Sequence, residues 1–323
     1  MNCARDILTC ESSRDDSFFS NQLGECGCCP RRCGVNRLDG EVGFCAVGAD
    51  VLVSHAGLHF GEEPAISGTR GSGTVFFAGC NLRCVFCQNC QISQEFDKSR
   101  TRSMSVDDLA DEMLALQVRG AHNINFVSPS HMIFQMADAV ETARGKGLRV
   151  PVVYNSNGYD SVEALRLIRG LVDIYLPDLK YMENEPAEKF SSAVDYAEIA
   201  CAAVKEMFDQ TGHLELDSEG IAVRGLLVRH LVLPGYTENS RKCLRFLADM
   251  SVETHVSIMS QYSPRYKACD YPELNRTLAN EEYDEITDHA LSLGLENAYV
   301  QELASHKHYL PDFAGERPFR NRN

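Results

Sequence analysis

Three thiols sit on one short run, Gly79-Cys80-Asn81-Leu82-Arg83-Cys84-Val85-Phe86-Cys87, with the spacing Cys-x3-Cys-x2-Cys. Thiolates placed this way can ligate three irons of a [4Fe–4S] cube and leave the fourth iron without a protein ligand, open to further chemistry. An apolar, strand-like stretch, Thr74-Val75-Phe76-Phe77-Ala78, leads into the run. Gly79 permits the turn out of that strand, and the aromatic Phe86 stands immediately before the third thiol.

A second group of thiols lies upstream. Cys26-Gly27-Cys28-Cys29-Pro30-Arg31-Arg32-Cys33-Gly34 and then Gly43-Phe44-Cys45 give Cys-x2-Cys-x3-Cys with a later fourth cysteine. Glycine and proline at this density suit the tight turns of a metal knuckle, and four thiolates satisfy either a structural Zn²⁺ or a second Fe–S cluster. Free thiols packed in a small core are the alternative. Cys28 is a fifth thiol, and spacing alone does not separate it from Cys26. Cys87 and Cys90 also read as half a zinc knuckle, although Cys90 is taken as a non-ligand. Cys201, Cys243 and Cys269 are isolated and read as small buried hydrophobes.

The chain has 323 residues, 44% of them hydrophobic, enough to bury a substantial core. Its 14 cysteines carry no signal-peptide pattern ahead of them, so they point to metal or catalytic roles in a reducing, cytoplasmic setting rather than to a disulfide framework. A formal net charge of −15 opposes binding to nucleic acid. Arg317, Arg320 and Arg322 read as a solvated chain end. No run approaches the roughly 20 apolar residues that span a bilayer, so no membrane partner is expected.

The elements that must position these groups follow from periodicity. Residues 1–25 form a polar N-terminal segment, 26–73 a Cys-rich extension, 74–300 the main α/β unit and 301–323 a polar tail. Val51 to Phe60 begins with strand-like alternation that puts His55 and His59 on one face, as ordinary hydrogen-bonded sheet histidines. The glycines of Gly68 to Gly73 lack the order of a phosphate loop. Six strands are expected at Thr74–Ala78, Asn123–Val127, Val150–Tyr154, Val172–Leu176, Gly225–Leu233 and His255–Ser260. Between them come helices at Ser105–Arg119, His131–Lys146, Ser161–Arg169, Pro186–Gln210 and Thr237–Met250, and a last helix at Glu281–Leu293 follows. Ser105 with Asp107 and Asp108 behind it reads as an N-cap. Alternating β and α segments in series imply a parallel sheet with right-handed crossovers.

In such a sheet, ligands collect at the carboxyl ends of the strands. Those ends carry Ser128-Pro129-Ser130-His131, Asn155-Ser156-Asn157-Gly158-Tyr159, Asp178-Leu179-Lys180, Arg229-His230 and Ser260-Gln261-Tyr262-Ser263. Alternation sends Asp178 and Lys180 to one side. Arg229 lies within an apolar run and needs a partner, whereas His230 points the other way and reads as structural. Ser130 reads equally well as an N-cap for the next helix.

The run Phe77-Ala78-Gly79-Cys80 through Cys87-Gln88-Asn89, with Leu58-His59-Phe60-Gly61-Glu62-Glu63-Pro64 upstream, resembles the radical S-adenosylmethionine (SAM) superfamily. More closely, it resembles the proteins related to pyruvate formate-lyase-activating enzyme. The resemblance implies a (β/α)6 partial barrel with a Cys-rich N-terminal extension. It also implies a [4Fe–4S] cluster on Cys80, Cys84 and Cys87 beside Phe86, and SAM held by Ser128, Ser130, Asn155, Ser156, Asn157, Asp178, Lys180 and Arg229. It selects Cys26, Cys29, Cys33 and Cys45 for the second metal site. The implied reaction is reductive cleavage of SAM to a 5′-deoxyadenosyl radical, with the electron supplied by a donor such as flavodoxin or ferredoxin, followed by hydrogen abstraction from a substrate. The sequence departs from its relatives in three places. The glutamate of a Gly-Gly-Glu-Pro stretch is missing at Ser128 to His131, Asn155 replaces an aspartate, and Ser263 stands where activating enzymes often have a histidine. Activation of a glycyl-radical protein therefore stands beside modification of a small molecule or peptide. A non-catalytic Fe–S electron carrier or zinc scaffold is the reading from another class.

Overall fold

The structure, a computed structural model, describes residues 22–303, 311–315 and 318–319. The expectations placed on residues 1–21 and on Arg317, Arg320 and Arg322 lie outside the described residues.

The strands are β1 (Val51–His59), β2 (Ser72–Phe77), β3 (Arg102–Met104), β4 (Ile124–Val127), β5 (Val152–Asn155), β6 (Ile174–Tyr175), β7 (Glu215–Leu216), β8 (Ala222–Leu231), β9 (His255–Met259) and β10 (Ala298–Val300). The helices are α1 (Pro64–Ser67), α2 (Cys90–Ser93), α3 (Val106–Val118), α4 (Ile133–Lys146), α5 (Val162–Leu167), α6 (Asn184–Ser191), α7 (Tyr196–Thr211), α8 (Thr237–Met250) and α9 (Asn280–Ser292). They build one sheet ordered β10-β9-β8-β6-β5-β4-β2-β1-β3, with β7 paired to β8. From β2 to β10 all neighbours along this order run parallel, and β1 and β3 add an antiparallel edge. The order has two free ends, so this is an open α/β barrel. All six expected strands are present as β2, β4, β5, β6, β8 and β9.

Three expectations need correction. The single helix expected over Pro186–Gln210 is two, α6 and α7, because Ser192 takes a left-handed backbone (φ +55°) that ends the first. The six expected strands are not the whole parallel set: β10, at the end of the 74–300 unit, pairs in parallel with β9 as a seventh parallel strand. Cys269 is exposed rather than buried. The reading of Ser105 holds, since its hydroxyl accepts from Asp108 N–H at 3.1 Å while the Asp108 carboxylate accepts from Ser105 N–H at 3.0 Å. His55 and His59 of β1 pack their rings against Phe76, Phe313 and Phe319.

Alternation along the parallel strands sorts residues onto two faces. Ile124, Phe126, Val152, Tyr154, Tyr175, Leu226, Val228, Val256 and Ile258 pack with the helices in the large core. Their neighbours Val153, Ile174, Leu176 and Leu227 face inward, where Ala65 and Ile66 of α1 complete a separate apolar cluster. The same alternation turns Asn125, Asn155, Asp178, Arg229 and Ser257 inward. The inner face is thus an apolar floor, in which Asn125 lies level with Val153, and a polar layer of Asp178, Arg229 and Ser257 above it, toward the carboxyl ends of the strands.

Candidate active site

The thiol loop leaves β2 through Gly79, whose φ is +80° and whose Cα hydrogen faces Cys45: a Cβ there would lie 2.5 Å from the Cys45 carbonyl oxygen. Only glycine fits both conditions. The loop then docks on the carboxyl end of α6, whose last carbonyls have no partner within the helix. Arg83 N–H donates to Ser191 O at 3.1 Å and Val85 N–H to Phe190 O at 2.8 Å. On the far side, Lys267 N–H donates to Val85 O at 2.9 Å, and the Phe86 ring meets Tyr262 edge-on at 5.9 Å.

Each sulfur has a polar side chain against it. Asn157 Nδ2 donates to Cys80 Sγ at 3.4 Å, Ser191 Oγ donates to Cys84 Sγ at 3.1 Å, and Ser93 Oγ lies 3.2 Å from Cys87 Sγ. Burial, with the other thiols nearby, pushes Cys80 up to about 11 and Cys87 up to about 12, and burial also raises Cys84. Metal binding would reverse this, because a coordinated thiol loses its proton. Three soft sulfurs, buried together and facing hydrogen-bond donors, fit the iron cluster. Among the described residues no three His, Cys, Asp or Glu side chains converge as ligands of a single ion, but the thiolates of a cube sit on separate irons.

Two strand-end loops are locked beside the thiols. Tyr196 OH lies 2.8 Å from Asn157 O and 2.9 Å from Asp178 O, and accepts from Lys180 N–H at 3.0 Å. Gly158 lets the loops touch: a Cβ there would be 2.0 Å from Asp178 O. Asp178 and Lys180 form an ion pair whose side chains are 20% and 14% exposed. Burial works against the Lys180 charge, yet Asp178 and the nearby Cys84 and Cys87 hold the ammonium above its ordinary range.

Arg229 does not stand free. Its Nε donates to Glu63 Oε1 at 2.8 Å, its Nη2 reaches both Glu62 and Glu63, and Nη1 donates to Asn155 Oδ1 at 3.3 Å. Burial opposes ionisation of Glu63, but Arg229 prevails and lowers its pKa. Ser156 Oγ donates to Asp160 Oδ2 at 2.6 Å, and Tyr154 OH donates to Asp160 Oδ1 at 2.8 Å. Ser130 does not cap α4; its buried hydroxyl faces Asp160 instead. Ser128 takes a left-handed backbone (φ +59°), a strained position for a residue with a side chain. His131 Nε2–H donates to Ala78 O at 2.8 Å, and burial lowers its pKa to about 4.

The radical SAM superfamily model matches residues 74–247, just over half of the chain. The chain belongs to the radical SAM superfamily. Its relatives include an uncharacterised protein of Methanocaldococcus jannaschii, 33% identical over 285 residues, covering 86% of this chain and 78% of that one. A second uncharacterised protein of the same organism is 27% identical over 321 residues, covering 90% and 86%. Among solved structures, a radical SAM methyltransferase from Sphaerobacter thermophilus is 12% identical with a TM-score of 0.47. That match covers 71% of this chain and 66% of the methyltransferase, slightly under two thirds of its length. Membership brings with it a [4Fe–4S] cluster and SAM as cofactors.

Of the residues singled out in this radical SAM sequence, Cys80, Cys84, Cys87, Asn157, Asp178 and Lys180 come together, with Phe86 behind them. Arg229 lies in register with Asp178 and turns its guanidinium to Asn155, Glu62 and Glu63. Ser130 and Ser156 turn to the buried Asp160 side. Glu62 and Glu63 were not foreseen as site residues; the one signal for them was a buried arginine that required a counter-ion.

The upstream thiols pack directly behind the loop. Cys29 lies near Cys45, Cys26 and Cys33, and Cys45 near Cys26 and Cys33. A hydrogen bond with Cys28 lowers Cys26 to about 5, while Cys28 is itself pushed up. The buried Arg37 donates to Cys45 Sγ at 3.3 Å and to His131 O at 2.8 Å. Phe44 is sandwiched by Arg31 at 3.9 Å and Arg83 at 4.3 Å. Cys90, at the start of α2, is half-buried and has Glu95 as its charged neighbour.

Proposed function

We propose that this chain cleaves SAM reductively and uses the resulting radical to take a hydrogen atom from a small molecule or peptide held on the inner face of the barrel. One observation carries the reading: the buried Asp178–Lys180 pair stands at the strand ends beside Cys84 and Cys87, with Asn157 on Cys80. The cluster and SAM together would supply one-electron cleavage of a C–S bond to a 5′-deoxyadenosyl radical, with the electron coming from a low-potential flavodoxin- or ferredoxin-type donor. Cys80, Cys84 and Cys87 would hold the cluster. Lys180 offers a fixed ammonium to a carboxylate, and Asp178 an acceptor on the same side. The packed walls exclude water, and His131, neutral in its burial, supplies no competing acid behind the loop.

Activation of a glycyl-radical protein is the second reading, favoured by the resemblance of Leu58 to Pro64 and Phe77 to Asn89 to the proteins related to pyruvate formate-lyase-activating enzyme. A second metal centre, an Fe–S cluster or Zn²⁺, would use Cys26, Cys29, Cys33 and Cys45, which lie near one another behind the thiol loop.

The test is anaerobic reconstitution of the wild type and of a Cys80/Cys84/Cys87→Ala variant, with iron and zinc counting, EPR spectra and 5′-deoxyadenosine analysis. The wild type is expected to form 5′-deoxyadenosine and the variant none. Equal product from both, or none from a wild type that carries its cluster, overturns the reading. Metal remaining in the variant would belong to the upstream thiols.

A further inference from the structure

The inner polar layer carries unbalanced charge. Glu62, Glu63 and Asp178 are opposed by Arg229 and Lys180, and burial keeps the neighbouring His59 toward its neutral form. Arg229 meets Glu63 through two nitrogens, while Glu62 shares only Nη2. Glu62 is thus the less compensated carboxylate, and its side chain is 8% exposed. A buried carboxylate without a full counter-charge is costly and calls for a cation.

An independent feature points the same way. Asn125 is completely buried, and its Nδ2 donates to Glu62 Oε1 at 3.1 Å. Facing a carboxylate, the amide must present its N–H end, which leaves Oδ1 over; that oxygen has no hydrogen-bond partner. An undercompensated carboxylate and an orphaned carbonyl oxygen on adjacent side chains both ask for one kind of group, a positively charged multiple donor.

We propose that Glu62 and Asn125 bind the ammonium of a primary-amine substrate on the inner face of the barrel. This rests on the reading above that a substrate occupies that face. SAM carries positive charge of its own, so the experiment must separate the two sources. The probe is n-butylammonium, with n-butyrate and n-butanol as controls. Binding is read by saturation-transfer NMR on anaerobic, cluster-loaded enzyme, with and without saturating SAM, alongside a separate count of 5′-deoxyadenosine.

Wild type is expected to bind n-butylammonium in the millimolar range, as suits so few atoms, with SAM present or absent, and to ignore the controls. Glu62→Gln keeps the shape and the contact with Arg229 but removes the charge, and is expected to weaken binding about tenfold or more, or about 1.4 kcal/mol. Asn125→Leu, which removes the orphaned oxygen at similar volume, is expected to weaken it. Glu62→Asp, a shortened carboxylate, is expected to fall between wild type and Glu62→Gln and serves if Glu62→Gln fails to fold. Equal binding by wild type and the Glu62 variant, preference for butyrate, no binding, or loss of binding when SAM is added would each overturn the proposal. If 5′-deoxyadenosine never forms, the parent reading of the function fails, whatever the NMR shows.

Discussion

Gly158 holds the two strand-end loops together, and replacing it by alanine tests that arrangement. Its φ is +79°, and a Cβ would sit 2.0 Å from Asp178 O and 2.9 Å from Tyr196 OH. A left-handed alanine costs about 1–2 kcal/mol by itself. The overlap also forces the Asp178 backbone away by about an ångström, because carbon and oxygen pack at well over 3 Å. That movement strains the bonds from Tyr196 OH to Asn157 O and Asp178 O, at about 1 kcal/mol each. The expected total is about 3–4 kcal/mol. For a chain of this size that corresponds to a fall in Tm of about 4–6 °C. Since the displaced backbone carries Asp178 and leads to Lys180, the KM for SAM should rise while iron content per chain stays at the wild-type value. The assays are thermal unfolding by circular dichroism, iron determination and the SAM dependence of 5′-deoxyadenosine formation. A variant with unchanged Tm and unchanged KM would refute the claim that close approach of these loops requires glycine and sets the position of the ion pair.

Two further outcomes follow from the same geometry. Tyr196→Phe removes the hydroxyl that joins Asn157 O, Asp178 O and Lys180 N–H and leaves buried backbone groups unpaired, so it should cost about 1–3 kcal/mol in urea unfolding; a loss below about 0.5 kcal/mol would show that the loops do not depend on it. His230 is buried, with Nδ1 at Leu179 O and Nε2 at Ser240 Oγ, and burial lowers its pKa from 6.5 to about 4. The unfolded chain therefore binds the proton first as the pH drops: stability is full above about pH 6.5, declines toward pH 4, and is lower by about 2 kcal/mol from this group at pH 5. Urea unfolding between pH 7.5 and 5 should show that decline, and His230→Gln should flatten part of it; a pH-independent midpoint in the wild type would contradict the burial argument.

Much of the frame could be read from residue patterns because it is local. Apolar runs of the right length gave the six strands, and Ser105 with Asp108 three positions on gave a helix start that the hydrogen bonds match. The failures are also physical. Helical periodicity continues from Pro186 to Gln210, and nothing local marks Ser192 as left-handed; the break exists because the thiol loop takes up the carbonyls of Phe190 and Ser191. β10 has only three residues, too few for alternation to register, and is a strand because β9 offers a free edge. Glu62 and Glu63 sit in Gly61-Glu62-Glu63-Pro64, where paired charges ordinarily mean a solvated turn. Their burial depends on Arg229, far along the chain.

The layering of the inner face bears on the size of substrate that can react there. Ala65 and Ile66 close the floor with Val153, Ile174, Leu176 and Leu227, so a molecule must enter from the thiol side. Arg229, paired with Glu62, lies in register with Asp178, and Lys180 is two residues further toward the thiols. Two residues of extended chain advance about 7 Å. An ammonium held at Glu62 would thus lie below the level of Lys180 and the thiols, with the reactive carbon several bonds from it along the substrate. A short amine meets that requirement, as does a lysine side chain inserted from a peptide. n-Alkylamines of increasing length, offered to the reconstituted enzyme with deuterium at successive carbons, would locate the abstraction site by transfer of the label into 5′-deoxyadenosine. Transfer should come from carbons remote from the bound nitrogen, and transfer from the carbon next to the ammonium would place the cation site at the thiols instead of at Glu62.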